Sequence, residues 1–140
     1  MHKFEFTLQR VLDYRRISEG WAKDAYLDAR ARRLEAETIL QGIIRKRGEA
    51  MRSHPQTVEQ MLSLEAYLLR LDDDERAQHS VIAVLFQEEE RDKEKWVECR
   101  RESEVLQKLH DNAREDWNYE SNREEQNQLD EWAVLRRKAA

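Results

Sequence analysis

Residues Thr57–Lys138 read TVEQMLSLEAYLLRLDDDERAQHSVIAVLFQEEERDKEKWVECRRESEVLQKLHDNAREDWNYESNREEQNQLDEWAVLRRK. This run of about 80 residues contains no Gly and no Pro. It is dense in Glu, Arg, Gln, Leu and Ala, the residues that lose least on entering a helix. Nothing inside it carries turn chemistry, so it reads as one helix of about 120 Å at 1.5 Å per residue. Asp72-Asp73-Asp74 is the one place where a local cap and a kink are expected. A helix of this length cannot bury its apolar positions against itself and needs a second helix.

The partner lies upstream. Pro55, the only proline, sits in Ser53-His54-Pro55-Gln56 and cannot continue a helix without losing a hydrogen bond and clashing with the preceding turn. Thr57 followed by Gln60 is a capping box that opens a new helix. Before the break, a first helix is expected over about 6–52, with Thr7 near its start. Phe4, Leu8, Val11, Arg15, Ser18, Ala22, Ala25, Ala29, Arg32, Ala36, Ile39, Ile43, Lys46 and Ala50 follow a strict 4-3 alternation, which is a heptad seam with small residues at its centre. Tyr14, Ile17 and Trp21 add a second apolar stripe. Gly20, Gly42 and Gly48 weaken this helix and are expected to let it bend. The second helix carries a matching but more polar seam: Leu64, Leu68, Leu71, Glu75, Gln78, Ile82, Leu85, Glu89, Asp92, Trp96, Cys99, Ser103, Leu106, His110, Ala113 and Trp117.

A stop, a short connection at 53–56 and a capped restart over about 57–138 predict an all-α fold: a long two-helix antiparallel coiled-coil hairpin in a single domain. The helices differ in length. A turn centred near residue 55 sets residue 4 opposite about residue 106, so the second helix overhangs from about residue 107. That overhang still carries Trp117, Tyr119, Leu129, Trp132, Val134 and Leu135, and unpaired apolar side chains of this size mark a binding surface.

Composition agrees with a narrow seam rather than a round core. Charged residues make up 39% of the 140 and aromatics 8%, a balance that leaves most side chains wet. Residues 1–53 hold 12 Lys/Arg against 8 Asp/Glu, and residues 54–140 hold 13 against 22. A basic segment followed by an acidic one suits two helices lying side by side. The net charge of −5 gives no case for nucleic acid as a partner. Cys99 is the only cysteine, which excludes an internal disulfide and fits a reducing compartment. No apolar run approaches the ~18 residues of a membrane span, and the N-terminal residues lack the apolar core of a signal peptide. The expectation is a cytoplasmic protein that does not insert into the membrane and is monomeric on its own.

No residue pattern points to catalysis or to a cofactor. His2, His54, His79 and His110 are too far apart to pair as helical metal ligands with one another or with Cys99. Cys99 falls on the seam, where a small apolar filler is the simpler reading. Three scattered glycines exclude a phosphate-binding loop. Asp72–Asp74 and Glu88–Glu90 are consecutive on a helix and point about 100° apart, so they form a solvated face rather than an ion site. Arg136-Arg137-Lys138 complements a helix C-terminus. Trp96 belongs to the seam. Leu129, Trp132 and Ala133, at i, i+3 and i+4, form an apolar face directed at a partner.

Both ends of the chain resemble the flagellar FliJ family of type III export proteins. Phe4-Glu5-Phe6-Thr7-Leu8-Gln9-Arg10-Val11-Leu12-Asp13-Tyr14-Arg15 is similar to that family's opening pattern F-x-F-x-L-x-x-[VL]-L-x-x-R. Glu124-Glu125-Gln126-Asn127-Gln128-Leu129-Asp130-Glu131-Trp132-Ala133 is similar to its closing E-Q-K-x-[LM]-D-E-[FWY]-A, with Asn127 in place of the usual Lys. Tyr67-Leu68-Leu69 with Leu71 resembles its Y-L-x-x-L stretch. The resemblance implies a stalk-like coiled coil that enters the ring of the hexameric export ATPase and promotes its assembly and activity. It also implies contacts with the export gate membrane protein and with substrate chaperones, at the cytoplasmic face of the inner membrane. On this basis Leu8, Val11, Leu12, Leu129, Asp130, Glu131 and Trp132 lie at the ATPase end. Tyr67, Leu68 and Leu71 lie toward the gate-binding end.

Two other readings compete. The equivalent stalk of a virulence-type injectisome shares the architecture, and the Phe-x-Phe-x-Leu opening favours the flagellar version. A generic coiled-coil scaffold would form a homodimer through the overhang. An enzyme is disfavoured by the lack of any converging polar cluster.

Overall fold

The computed structural model describes residues 2–139. It contains two helices, α1 (Gln9–Met51, 43 residues) and α2 (Val58–Ala139, 82 residues). They pack against each other as an all-α helical hairpin, with no strand among the described residues. The chain divides into two compact units, one of Met1–Gly20 with Glu98–Ala140 and one of Trp21–Val97.

The capping box that opens α2 is formed. The Thr57 hydroxyl accepts from the Gln60 backbone N–H at 3.1 Å. The Gln60 side chain reaches back to accept from the N–H of Gln56 at 2.8 Å, one residue before the cap itself. The Gln60 N–H, one of the free N–H groups at this helix end, is thereby satisfied. α2 then runs unbroken through Asp72–Asp74, so the expected kink does not occur. Asp72 is instead engaged by Arg47. The glycines of α1 likewise sit inside a continuous helix, and none has positive φ.

In the 21–97 unit, partner numbers fall on α2 as they rise on α1, the mark of an antiparallel pair. Tyr26 stacks on Trp96 with centroids 5.5 Å apart and ring planes at 20°. Arg33 binds Glu89, the Gln78 amide donates to the Ala36 carbonyl at 2.8 Å, and Arg47 binds Asp72 and Glu75. Ala29, Ala36, Leu40 and Leu71 are buried. Ala29 and Ala36 leave room at the seam, and the Gln78 side chain reaches the α1 backbone at Ala36.

All sixteen seam positions expected on α2, Leu64 through Trp117, are buried or half-buried. α1 differs in one of its two columns. Arg15, Ala22, Ala29, Ala36, Ile43 and Ala50 face inward as expected, but the second column is Leu12, Glu19, Tyr26, Arg33, Leu40 and Arg47. It lies one residue beyond Val11, Ser18, Ala25, Arg32, Ile39 and Lys46. The two columns are nearly equal in apolar content, so apolar content does not choose between them. Charge does: Arg33 and Arg47 find carboxylates on α2, whereas Arg32 and Lys46 stay exposed.

The register is also shifted. A turn centred at 55 would set residue 47 opposite about 63, yet Arg47 meets Asp72 and Glu75. With α1 ending at Met51, the first turns of α2, about ten residues, extend past it. The non-helical connection makes this possible, since six extended residues can span about 20 Å.

In the unit of Met1–Gly20 and Glu98–Ala140, α1 starts at Gln9 rather than near Phe6. A turn leads into it, with the Gln9 N–H donating to the Phe6 carbonyl at 3.0 Å. Leu12 is fully buried, Arg15 donates to Glu102 at 2.6 Å, and Arg16 is hydrogen-bonded to Gln107.

Candidate interaction surfaces

Residues 2–6 are non-helical, a turn at 7–8 leads into α1, and His2, Phe4 and Phe6 lie on α2. Phe4 and Phe6 are two apart, so an extended chain points both to one side. Both meet the His110 ring edge-on, at 5.6 and 5.2 Å. Phe4 also contacts Trp117 at 6.0 Å. The Arg114 guanidinium stands 4.9 Å from the Phe4 ring and 5.4 Å from Trp117, within cation–π range. The Trp117 indole N–H donates to the His2 carbonyl at 3.2 Å. Beneath this cluster the Asp111 carboxylate accepts from Gln107 at 2.9 Å and lies 3.1 Å from His110 Nδ1. Hydrogen bonds from His110 and then Gln107 hold its carboxyl below the ordinary value near 3.8.

This packing corrects the expected start of the overhang. Phe4 lies against His110 and Trp117 rather than opposite residue 106, and α2 keeps a half-buried face as far as Ser121. The solvated segment is 122–139, every residue of which is exposed. At 1.5 Å per residue it spans about 27 Å. It presents Leu129 and Trp132, 58% and 59% exposed, together with Val134 and Leu135. The Arg136 guanidinium sits 5.1 Å from the Trp132 ring, and Gln126 donates to Asp130 at 3.2 Å. At 100° per residue, the Leu129–Trp132–Ala133 face is turned about a third of a turn from Trp117. On the 4-3 line that continues the seam stand Glu120, Glu124, Asn127 and Glu131. The overhang is therefore not an unfilled extension of the hairpin seam but a separate face.

The residues assigned to the ATPase end divide into three groups. Leu12 is spent on the core. Leu8 and Val11 are exposed on the first helix and just before it. Leu129, Asp130, Glu131 and Trp132 lie well beyond Trp117 along α2, so the structure does not gather the seven side chains into one cluster.

In the 21–97 unit, Leu71 is buried, and Tyr67 and Leu68 are half-buried. Arg70 stands 5.7 Å from the Tyr67 ring. The more exposed apolar side chains here are Val58, Met61, Leu62 and Leu69, which the sequence reading did not single out. They face solvent because α1 ends before reaching them. Exposed Tyr14 and Ile17 fall in the first unit and exposed Trp21 in the second.

No group of three His, Cys, Asp or Glu residues among those described could hold a metal ion. Cys99 is a half-buried free thiol on the seam. Among the described residues, no helix is long and apolar enough to cross a membrane.

A family model described as flagellar FliJ protein matches residues 4–139. The chain belongs to the flagellar FliJ family. The match runs from the Phe4 opening through the overhang and so takes in both ends that carry the FliJ-like patterns. Membership points to a component of the flagellar export apparatus. No curated protein and no solved structure is significantly similar to it.

Proposed function

We propose that this FliJ-family chain is a non-enzymatic stalk of the flagellar export apparatus that binds the hexameric export ATPase through its α2 overhang and favours the assembled, active ring. The observation that carries this reading is the solvated helix 122–139 with Leu129, Trp132, Val134 and Leu135 all exposed. Leaving that much apolar surface wet is unfavourable unless a partner covers it. A single unpaired helix about 10–12 Å across is also narrow enough to enter a ring.

The Tyr67–Leu71 region serves the export gate. Tyr67 and Leu68 remain partly accessible beside exposed Met61, Leu62 and Leu69, and Leu71 anchors that surface on α1. Contacts with substrate chaperones are a further role. Such contacts hold the protein at the cytoplasmic face of the inner membrane without inserting it.

Titrating the full chain into the cognate export ATPase tests the reading. Faster ATP hydrolysis and a shift to larger ATPase oligomers are expected. Unchanged hydrolysis and oligomer size would overturn it.

A further inference from the structure

The overhang has a property that binding to a ring does not require: its face is complementary to itself. Asn122, Glu125, Leu129, Trp132, Arg136 and Ala139 follow a 3-4 alternation along the exposed end of α2. Two copies laid antiparallel about a two-fold axis between residues 130 and 131 match layer by layer. Leu129 of each copy meets Trp132 of the other, and Glu125 of each meets Arg136 of the other. The two apolar layers form the middle and the two ion pairs close the ends. A two-fold interface has to satisfy this condition, each residue finding its mate in the reciprocal position.

The hairpin itself is built this way. In its own antiparallel pairing, arginines on or beside the seam meet carboxylates of the opposite helix, Arg15 with Glu102, Arg33 with Glu89 and Arg47 with Glu75. These pairs alternate with apolar layers such as Tyr26 on Trp96. The overhang repeats that code with no partner inside the chain. Arg136 already lies against Trp132, next to the layer it would close.

We propose that the α2 overhang docks antiparallel on the overhang of a second copy of this chain, forming a two-fold dimer held by Leu129–Trp132 layers and Glu125–Arg136 pairs. Four layers on about 27 Å of helix form a small interface, well below the ~1,200 Å² of stable complexes. The dimer is therefore reversible and depends on concentration. It covers Leu129 and Trp132, so in the ATPase reading above, dimerisation and ring binding exclude each other. The dimer itself does not rest on that reading.

Sedimentation velocity of the full chain without ATPase, over a wide concentration range at low salt, tests the proposal. The mass should rise from one chain's 16.9 kDa toward twice that value. Glu125→Arg or Arg136→Glu alone turns both symmetric pairs repulsive and should weaken association about tenfold or more. Combining the two restores the pairing with its charges exchanged and should bring association back to within about threefold of the parent. Trp132→Ala should abolish it. All these positions are exposed, so circular dichroism should be unchanged. A mass that stays at one chain at every concentration would overturn the proposal. So would single variants that associate as the parent does, or a double variant no better than the singles.

Discussion

Arg33 of α1 grips Glu89 of α2 through two guanidinium nitrogens, Nη2 to Oε1 at 3.2 Å and Nε to Oε2, and Glu89 is only 5% exposed. Glu89 and Glu37 together raise the guanidinium's already high pKa further. A buried carboxylate left without its cation is costly, whereas the pair as a whole adds little over a well-packed apolar pair. Its value is in register: only one sliding position of α1 on α2 gives both Arg33 and Arg47 their carboxylates.

Removing one partner of this pair is expected to hurt more than removing both. Arg33→Met should lower Tm clearly, and Arg33→Met with Glu89→Leu should recover much of the loss. Arg45→Ala, which breaks an exposed pair at 4.0 Å, should leave Tm nearly unchanged. Thermal melts followed by circular dichroism give the comparison.

The choice between the two candidate columns of α1 is tested by neighbours. Leu40 is 8% exposed and Ile39 is 51% exposed. Leu40→Ala should cost about 2–5 kcal/mol as a large-to-small core change. Ile39→Ala should stay within about 0.5 kcal/mol. Urea titrations that show the reverse order would restore the column through Val11, Ala25 and Ile39.

The sequence made the hairpin visible because its signals were local and strong: Pro55, the Thr57–Gln60 box and a helix with no Gly or Pro. It also exposed every seam position of α2. It left the second column of α1 ambiguous, because Val11 beside Leu12 and Ile39 beside Leu40 are equally apolar. That choice depended on which arginines would meet Glu75 and Glu89 across the seam, information that lies in the pairing and not in either helix alone. A tight turn at 55 predicts an overhang that begins about fifteen residues earlier than the observed one, and the connection is longer than such a turn. The helix expected from about Phe6 begins only at Gln9, and Phe4 and Phe6 both reach the His110 ring from the non-helical segment before it. The FliJ-like ends were legible, but the burial of Leu12 separated it from the residues it was grouped with.

Local backbone changes should follow the observed environment. A Cβ added at Gly20, Gly42 or Gly48 meets nothing within 4 Å. Each Gly→Ala change should therefore stabilise the protein by up to about 1 kcal/mol. Thr57→Ala removes the cap on α2 and should cost about 1 kcal/mol. Urea denaturation measures both.

The Asp111 carboxyl titrates below its ordinary value in the folded protein. Its contribution is therefore present above the unfolded value near 3.8 and disappears as the pH falls through the lower folded value. Asp111→Asn should flatten the acid limb of a stability–pH profile. An NMR titration of the Asp111 side chain should give a lower midpoint in the parent than an exposed Asp gives.

The most direct measurement of the central claim is the ATP hydrolysis rate of the cognate export ATPase with the full chain, with the chain ended after Gln128, and with Leu129→Ala/Trp132→Ala. All three share the same hairpin, because residues 122–139 touch solvent and not the core. Stimulation by the full chain and its loss in the other two are expected. Equal stimulation by all three would contradict the claim.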